Sequence, residues 1–433
     1  MDDHLLADDY IEEPWWWHAA PRPAQSTMDN FPDRADVVVV GSGFTGLSAA
    51  LTLARAGRDV VVLEAKALGH GASSRNAGFV GRTLKHSFGS LLQAYGLGYA
   101  VQVYRELDAA FYFVFELVAR ENIHCYLTRC GRFMGALNAE QRVLMTDELE
   151  LRRKHLGHPF QMISESEQSE EIGAGRYVGG ALIPDLGSIH PGLYHLGLLN
   201  TARSASVQII GHTPVTAVRP DGTGFQVDTP RGVLMARDVI VATNGYTDSA
   251  VPWLRRRVIP FHGYMIATDV LSEDVITQIL PNNRTFHDYN NNLVYIRQAP
   301  DQPRLLMGAY TGGPVDRLST KAEKLKSRLD VIFPELSDVK LSRIWSGQCA
   351  GTFDLWPHVG MHNGLHYALG YCFAGLPMGT YLGDKAAKQV LGLQEASTVF
   401  ADRTFRSHPL YTGNPWFVPL AMRWYDRQDA AYS

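Results

Sequence analysis

Gly41, Gly43 and Gly46 stand in the run Gly-Ser-Gly-Phe-Thr-Gly, directly after four consecutive valines at 37–40. Such a β-branched run suits a strand buried on both faces of a parallel sheet. Residues 47–56 are rich in Ala and Leu and read as a helix, which Gly57 ends. Residues 60–63 read as a second strand, closed by Glu64. The chemistry this βαβ unit permits is the binding of a nucleotide's phosphates. Gly41 allows the tight turn, Gly43 lets the backbone approach a pyrophosphate, and Gly46 lets helix and strand pack closely. Ser42, Phe44 and Thr45 complete the turn at a helix start, where free N–H groups and the dipole favour anions. Glu64 is spaced to accept hydrogen bonds from ribose hydroxyls. A glycine turn without a ligand is the alternative, disfavoured because strand, helix and acid all occur in order.

The turn alone does not choose between NAD and FAD. After Glu64, Ala65 and Lys66, residues 69–78 are mostly small: Gly71, Ala72, Ser73, Asn76, Ala77 and Gly78 are among them. So slim a chain can pass close to a second phosphate and a flat ring. The strand at 238–242 ends in Ala242, Thr243 and Asn244, which can approach the same cofactor from its other side. Both features favour FAD.

The chain that must position these groups has 433 residues, 45% of them hydrophobic and 19% charged, enough for a sizeable core. Net charge is -4, and the short basic run Arg255, Arg256 and Arg257 is read as a solvated or salt-bridged loop. A nucleic-acid partner is not expected. The four cysteines form no CxxC pair and no histidine cluster has metal-ligand spacing, so reduced thiols in a cytoplasmic protein are expected, with no metal. No apolar run approaches the roughly 20 residues that span a bilayer, and the acidic residues 1–13 do not resemble a secretory signal. Residues 1–34 read as an arm broken by prolines, yet Trp15, Trp16 and Trp17 carry too much apolar surface to stay in water and are expected to pack on the body. Helices are expected at 99–121, 193–203 and 321–331. Short strands are expected at 207–210 and 215–218, and a hairpin from 225–227 and 232–236.

The chain resembles the D-amino-acid oxidase superfamily of FAD-dependent oxidoreductases, with its nearest likeness to the γ-glutamylputrescine oxidoreductase branch. The matching pieces are the Trp-rich leader, VVVVGSGFTGLSAALTLARAG, VLEAKALGHGASSRNAG, VIVATNGYT, GTFDLWPHVG and GYCFAGLPMGTYLG. They occur in the family's order between about 15 and 390. The resemblance implies an α/β fold: a Rossmann-like FAD-binding domain from 35–90, 185–250 and 345–393, and a substrate domain with a mostly antiparallel sheet from 91–184 and 251–344. Residues 394–433 would be a tail. It implies that Ala72, Ser73, Asn76, Ala77 and Gly78 lie along the flavin and that Val215 meets adenine. Gly375, Pro377, Met378, Gly379 and Thr380 would bring a second helix start to the ring. Tyr264, Tyr295, Arg297 and Tyr310 would face the flavin from the substrate domain, with core tyrosines and a surface arginine as the even alternative.

Two departures from the family pattern matter. Where many amino-acid-oxidising members have Arg in WxGxRPxT, this chain reads Trp-Ser-Gly-Gln-Cys-Ala-Gly-Thr, with Cys349 at that place. A thiol cannot replace a bidentate clamp, so an amine without an α-carboxylate is favoured. Cys349 could carry flavin covalently or simply pack; non-covalent FAD is the expectation. The segment 304–308, Arg-Leu-Leu-Met-Gly, lacks the Lys that activates oxygen in sarcosine-oxidase relatives, so oxygen and another acceptor both stay open. The implied reaction takes a hydride from the carbon beside a neutral amine nitrogen to flavin N5, giving an imine that water hydrolyses. Three rivals stand beside it: an amino-acid or N-methylamino-acid oxidase using Arg297 or Arg75 for the carboxylate, a flavoprotein subunit inactive alone, and an NAD-dependent dehydrogenase.

Overall fold

The computed structural model describes residues 5–23, 31–401 and 403–430. Parts of the expected arm (1–4 and 24–30) and of the expected tail (402 and 431–433) lie outside the described residues.

The valine run splits between two cores, as strand alternation requires. Val37 and Val39 pack with helix residues Leu47, Ala50 and Leu53 on one face, and Val38 and Val40 join Val61 and Val239 on the other. The strand Arg34–Val40 lies between Val60–Leu63 and the C-terminal half of Gly232–Val241, parallel to both. This eight-stranded sheet runs Ala217–Asp221, Gly224–Thr229, Gly232–Val241, Arg34–Val40, Val60–Leu63, Gln208–Ile210, with Leu365–Leu369 and His358–His362 attached at Gly232–Val241. Helix Phe44–Arg55 packs on it, against helix Gly375–Val390. The two helices can approach closely because Gly383 has no side chain: a Cβ there would lie 2.2 Å from the Thr45 carbonyl oxygen.

A second, nine-stranded sheet runs Leu6–Ile11, Leu341–Thr352, Val258–Thr268, Leu305–Gly312, Tyr295–Gln298, Thr285–Asp288, Arg132–Gly135, Gly180–Ile183, Gln161–Ile163. It is antiparallel except where Leu6–Ile11 meets Leu341–Thr352 and Thr285–Asp288 meets Arg132–Gly135. One face is covered by helix Leu318–Ile332, through Leu325 and Leu329 on Ile266 and Met307. On the other face Trp15 and Trp16, 1% and 0% exposed, pack with Met265, Leu306 and Trp345. The arm is thus built into the sheet and its core. The strand Leu341–Thr352 also belongs wholly to this sheet, across the boundary placed at 345.

The segment read as a tail contains helix Val418–Ala430. Its Asp429 carboxylate accepts hydrogen bonds from the N–H groups of Asn291 (2.9 Å) and Asn292 (2.8 Å). Among the described residues no helix is long and apolar enough to cross a membrane.

Candidate active site

A cavity of about 640 Å³ runs from the glycine turn of the eight-stranded sheet to the Trp-bearing side of the nine-stranded one. Gly41, Ser42, Gly43, Phe44 and Thr45 line its first part with Glu64, Ala65 and Lys66. Gly41 adopts φ +103°, which favours glycine, and Gly46 stands behind the turn: a Cβ on it would lie 1.9 Å from the Gly41 carbonyl oxygen. Glu64 Oε2 accepts hydrogen bonds from the Ser42 N–H (3.0 Å) and hydroxyl (2.9 Å), and Oε1 from the Lys66 N–H (3.2 Å). The Phe44 N–H donates to Ser73 Oγ at 2.9 Å, tying the helix start to the small-residue loop. His195 Nε2 donates to the Ser42 carbonyl at 2.7 Å. The turn is a preformed cradle with helix N–H groups beside an acid, which fits a dinucleotide.

The small-residue loop continues the wall through Gly71, Ala72, Ser73, Asn76 and Ala77. The tryptophans hold it. Trp16 Nε1 donates to the Asn76 carbonyl (2.8 Å), Trp17 Nε1 to Ser74 Oγ (2.8 Å), and Trp345 Nε1 to the Arg75 carbonyl (2.8 Å). Opposite lie Val215, Ala242, Thr243 and Asn244, then Gly375 and Pro377 at the start of helix Gly375–Val390.

Other positions expected at the cofactor stand behind the wall. Gly78 is packed so tightly that a Cβ would lie 2.1 Å from the Ile189 carbonyl oxygen. Met378 is in the core, Gly379 faces Thr45 Oγ1, and Thr380 donates to the Leu376 carbonyl at 2.8 Å.

Of the five residues expected at the substrate, Tyr295 and Cys349 line the cavity. Tyr264 does not: Gly263 and Met265 line it, so alternation turns Tyr264 to the opposite face, where its hydroxyl donates to the Gly313 carbonyl at 2.6 Å. Tyr310 stands beside Lys321, whose Nζ lies 5.8 Å from its ring centre, and is not among the lining residues. Arg297 is buried beneath the loop, its Nη1 donating to the carbonyls of Ala77 (3.2 Å), Gly78 (3.3 Å) and Ile189 (2.7 Å). Arg75 likewise donates to the carbonyls of His70 (2.7 Å) and Ser346 (3.0 Å). Gly308, in the segment 304–308 that holds no lysine, makes room for a neighbour: a Cβ there would lie 2.1 Å from the Tyr295 ring.

Sequence reading missed Lys85, Arg132 and His287, which also line the cavity. Arg132 comes from strand Arg132–Gly135 and His287 from its neighbour Thr285–Asp288. His287 Nδ1 lies 2.8 Å from the Asp288 carbonyl, so that nitrogen carries the hydrogen and Nε2 the lone pair. Burial and the Arg132 charge push the imidazole down to about 4. Lys85 faces the cavity with Nζ 5.2 Å from the Phe373 ring centre, and the protein around it lowers its pKa. The one available signal was Arg132 itself, a lone charge within a short strand.

Comparison with known proteins agrees with this geometry. Residues 36–389 match the family described as FAD dependent oxidoreductase (DAO). The chain is 30% identical over 388 residues to the γ-glutamylputrescine oxidoreductase of Escherichia coli, covering 89% of this chain and 90% of that protein. It is also 30% identical over 377 residues to the probable oxidoreductase OrdL of Haemophilus influenzae, covering 85% of each. The crystal structure of glycine oxidase from Geobacillus kaustophilus superposes with a TM-score of 0.72 at 26% identity, over 87% of this chain and 99% of that one. The chain belongs to the DAO family of FAD-dependent oxidoreductases, enzymes that act on the C–N bonds of amines or amino acids.

Proposed function

We propose that this chain oxidises the C–N bond of a small amine to an imine, which water hydrolyses to an aldehyde. The observation that carries the reading is one continuous cavity joining the Gly41–Gly46 turn and Glu64 to Tyr295, Cys349 and His287. Bound FAD supplies the two-electron acceptor for hydride transfer. In this reading the turn cradles the pyrophosphate, Glu64, Ala65 and Lys66 meet the adenosine ribose, and Val215 meets adenine. Gly71 to Ala77, Ala242 to Asn244, Gly375 and Pro377 flank the rest. Gly46, Gly78, Met378, Gly379 and Thr380 support from behind.

The chain's side chains prepare the amine. A protonated nitrogen cannot release electron density, and the chamber disfavours one. Its lining includes two carboxylates, Glu64 and Asp248, neither on the nine-stranded sheet, while Arg132 and Lys85 add positive charge. The His287 Nε2 lone pair can accept a hydrogen bond from the neutral amine N–H. Positioning and desolvation then carry most of the rate.

Burial pushes the Cys349 thiol up to about 12, which leaves it a poor nucleophile and supports non-covalent FAD. Precipitation in acid would then release all flavin into solution. The four free cysteines fit a cytoplasmic setting. The test of the function is an anaerobic screen of amines watched at the flavin absorbance. Bleaching by an amine is expected, and admitting air afterwards separates oxygen from another acceptor. A yellow protein that no amine bleaches would favour a subunit dependent on a partner.

A further inference from the structure

Arg132 is 5% exposed, yet it lines the cavity, and its Nη2 is buried without a hydrogen-bond partner among the described residues. Its Nε donates to Thr285 Oγ1 at 3.2 Å, and its guanidinium lies 4.6 Å from the Phe79 ring centre. Among the described residues, neither Arg132 nor Lys85 has a carboxylate within ion-pair distance. Burial pushes Arg132 only down to about 10, so it stays a cation at neutral pH. A buried cation without a counter-charge is costly to the fold. Gly81 lets the backbone pass close to the guanidinium without crowding it: a Cβ there would lie 3.0 Å from Nη1. The nearest titratable neighbour on the adjoining strand, His287, is held neutral and offers neither a counter-charge nor a competing one. A planar guanidinium with free N–H groups is the geometry that grips a carboxylate.

We propose that the amine substrate carries a carboxylate and that Arg132, with Lys85 adding positive potential along the wall, is the residue that recognises it. The inference rests on the amine-oxidising reading and places the carboxylate away from the reacting carbon, which keeps the expectation that no α-carboxylate is clamped at Cys349. It also separates this anion site from the position of Cys349, which lies on a different strand. The Phe79 ring stands 6.2 Å from that of Tyr295, so one aromatic ring separates the anion site from Tyr295. Arg132 and the bound FAD would thus hold the two ends of one molecule.

The test uses the FAD-loaded protein and two matched pairs of probes. Butyrate and butyramide are titrated while the flavin absorbance is followed, and 4-aminobutyrate and n-butylamine are compared as anaerobic reductants. Wild type should bind butyrate about tenfold more tightly than butyramide, the size expected for a charge-assisted pair. Arg132→Met should erase that preference and leave butyramide unchanged, and Arg132→Lys should keep part of it. Gly81→Ala displaces the guanidinium without removing its charge and should weaken butyrate, which covers the case in which Arg132→Met does not fold. For 4-aminobutyrate the loss should fall on KM more than kcat. A butyrate preference that survives Arg132→Met in protein with a native flavin spectrum would overturn the proposal, as would a wild type indifferent to the carboxylate. Arg132-dependent butyrate binding in a protein that no amine bleaches would leave the anion site standing and remove the amine reading. Amine bleaching that ignores both carboxylate and Arg132 would do the reverse.

Discussion

Ser42, Glu64 and Ser73, at one end of the cavity, find hydrogen-bond partners within the chain. Arg132, at the other, keeps a buried Nη2 that has none among the described residues. The glycine turn, acid and small-residue loop of the first end come from residues 41–78, one stretch of sequence. The second gathers side chains from Lys85 to Phe373, carried by loops and by strands that are neighbours only in the folded sheet. The difference teaches where tolerance lies. A cradle made of backbone fails when its backbone moves, whereas a chamber made of side chains can change its guest and keep its cofactor.

The largest expected effect is at the cradle. Gly46→Val places a Cβ inside the Gly41 carbonyl's contact distance, so the protein should purify colourless, with flavin absorbance near zero. His287→Gln, in the chamber, should purify with full flavin content. A yellow Gly46→Val protein would break the comparison. Next comes Glu64→Gln, which removes a charged acceptor but keeps the fold. FAD affinity in fluorescence titration of the apoprotein should fall about tenfold, roughly 1.4 kcal/mol.

Trp16→Phe tests the seam between the two ends. It removes the N–H given to the Asn76 carbonyl and should cost about 1–2 kcal/mol in denaturant unfolding. The smallest effect concerns pH. His287 stays neutral in the fold down to about 4, against 6.5 for the free side chain, so below 6.5 the unfolded chain binds a proton that the folded one refuses. Stability present above pH 6.5 is therefore lost as pH falls toward 4. His287→Gln should remove on the order of 1 kcal/mol of that loss between pH 7 and pH 5, measured as unfolding midpoints at both.

The same contrast decides what could be read from the sequence. The valine strand, Gly41–Gly46 and Glu64 were legible because strand, turn, helix and closing acid follow one another within residues 37–64. The tryptophans were legible as buried surface, but not their indole bonds to Asn76 and Ser74, which need the third dimension. Tyr264 and Tyr295 look alike in sequence; only the strand pairing shows that Tyr264 sits between two lining residues and points away. His287 gave no sign because its role depends on register with Arg132, set by a parallel pairing of strands more than a hundred residues apart.

The helix Val418–Ala430 has a consequence for biosynthesis. Among the described residues, every strand of both sheets precedes residue 400. The Asn291–Asn292 turn, which contributes Asn291 to the cavity wall, has its anchor beyond them at Asp429. During synthesis the anchor of this wall segment therefore emerges after the strands, helix and turn that make the cradle.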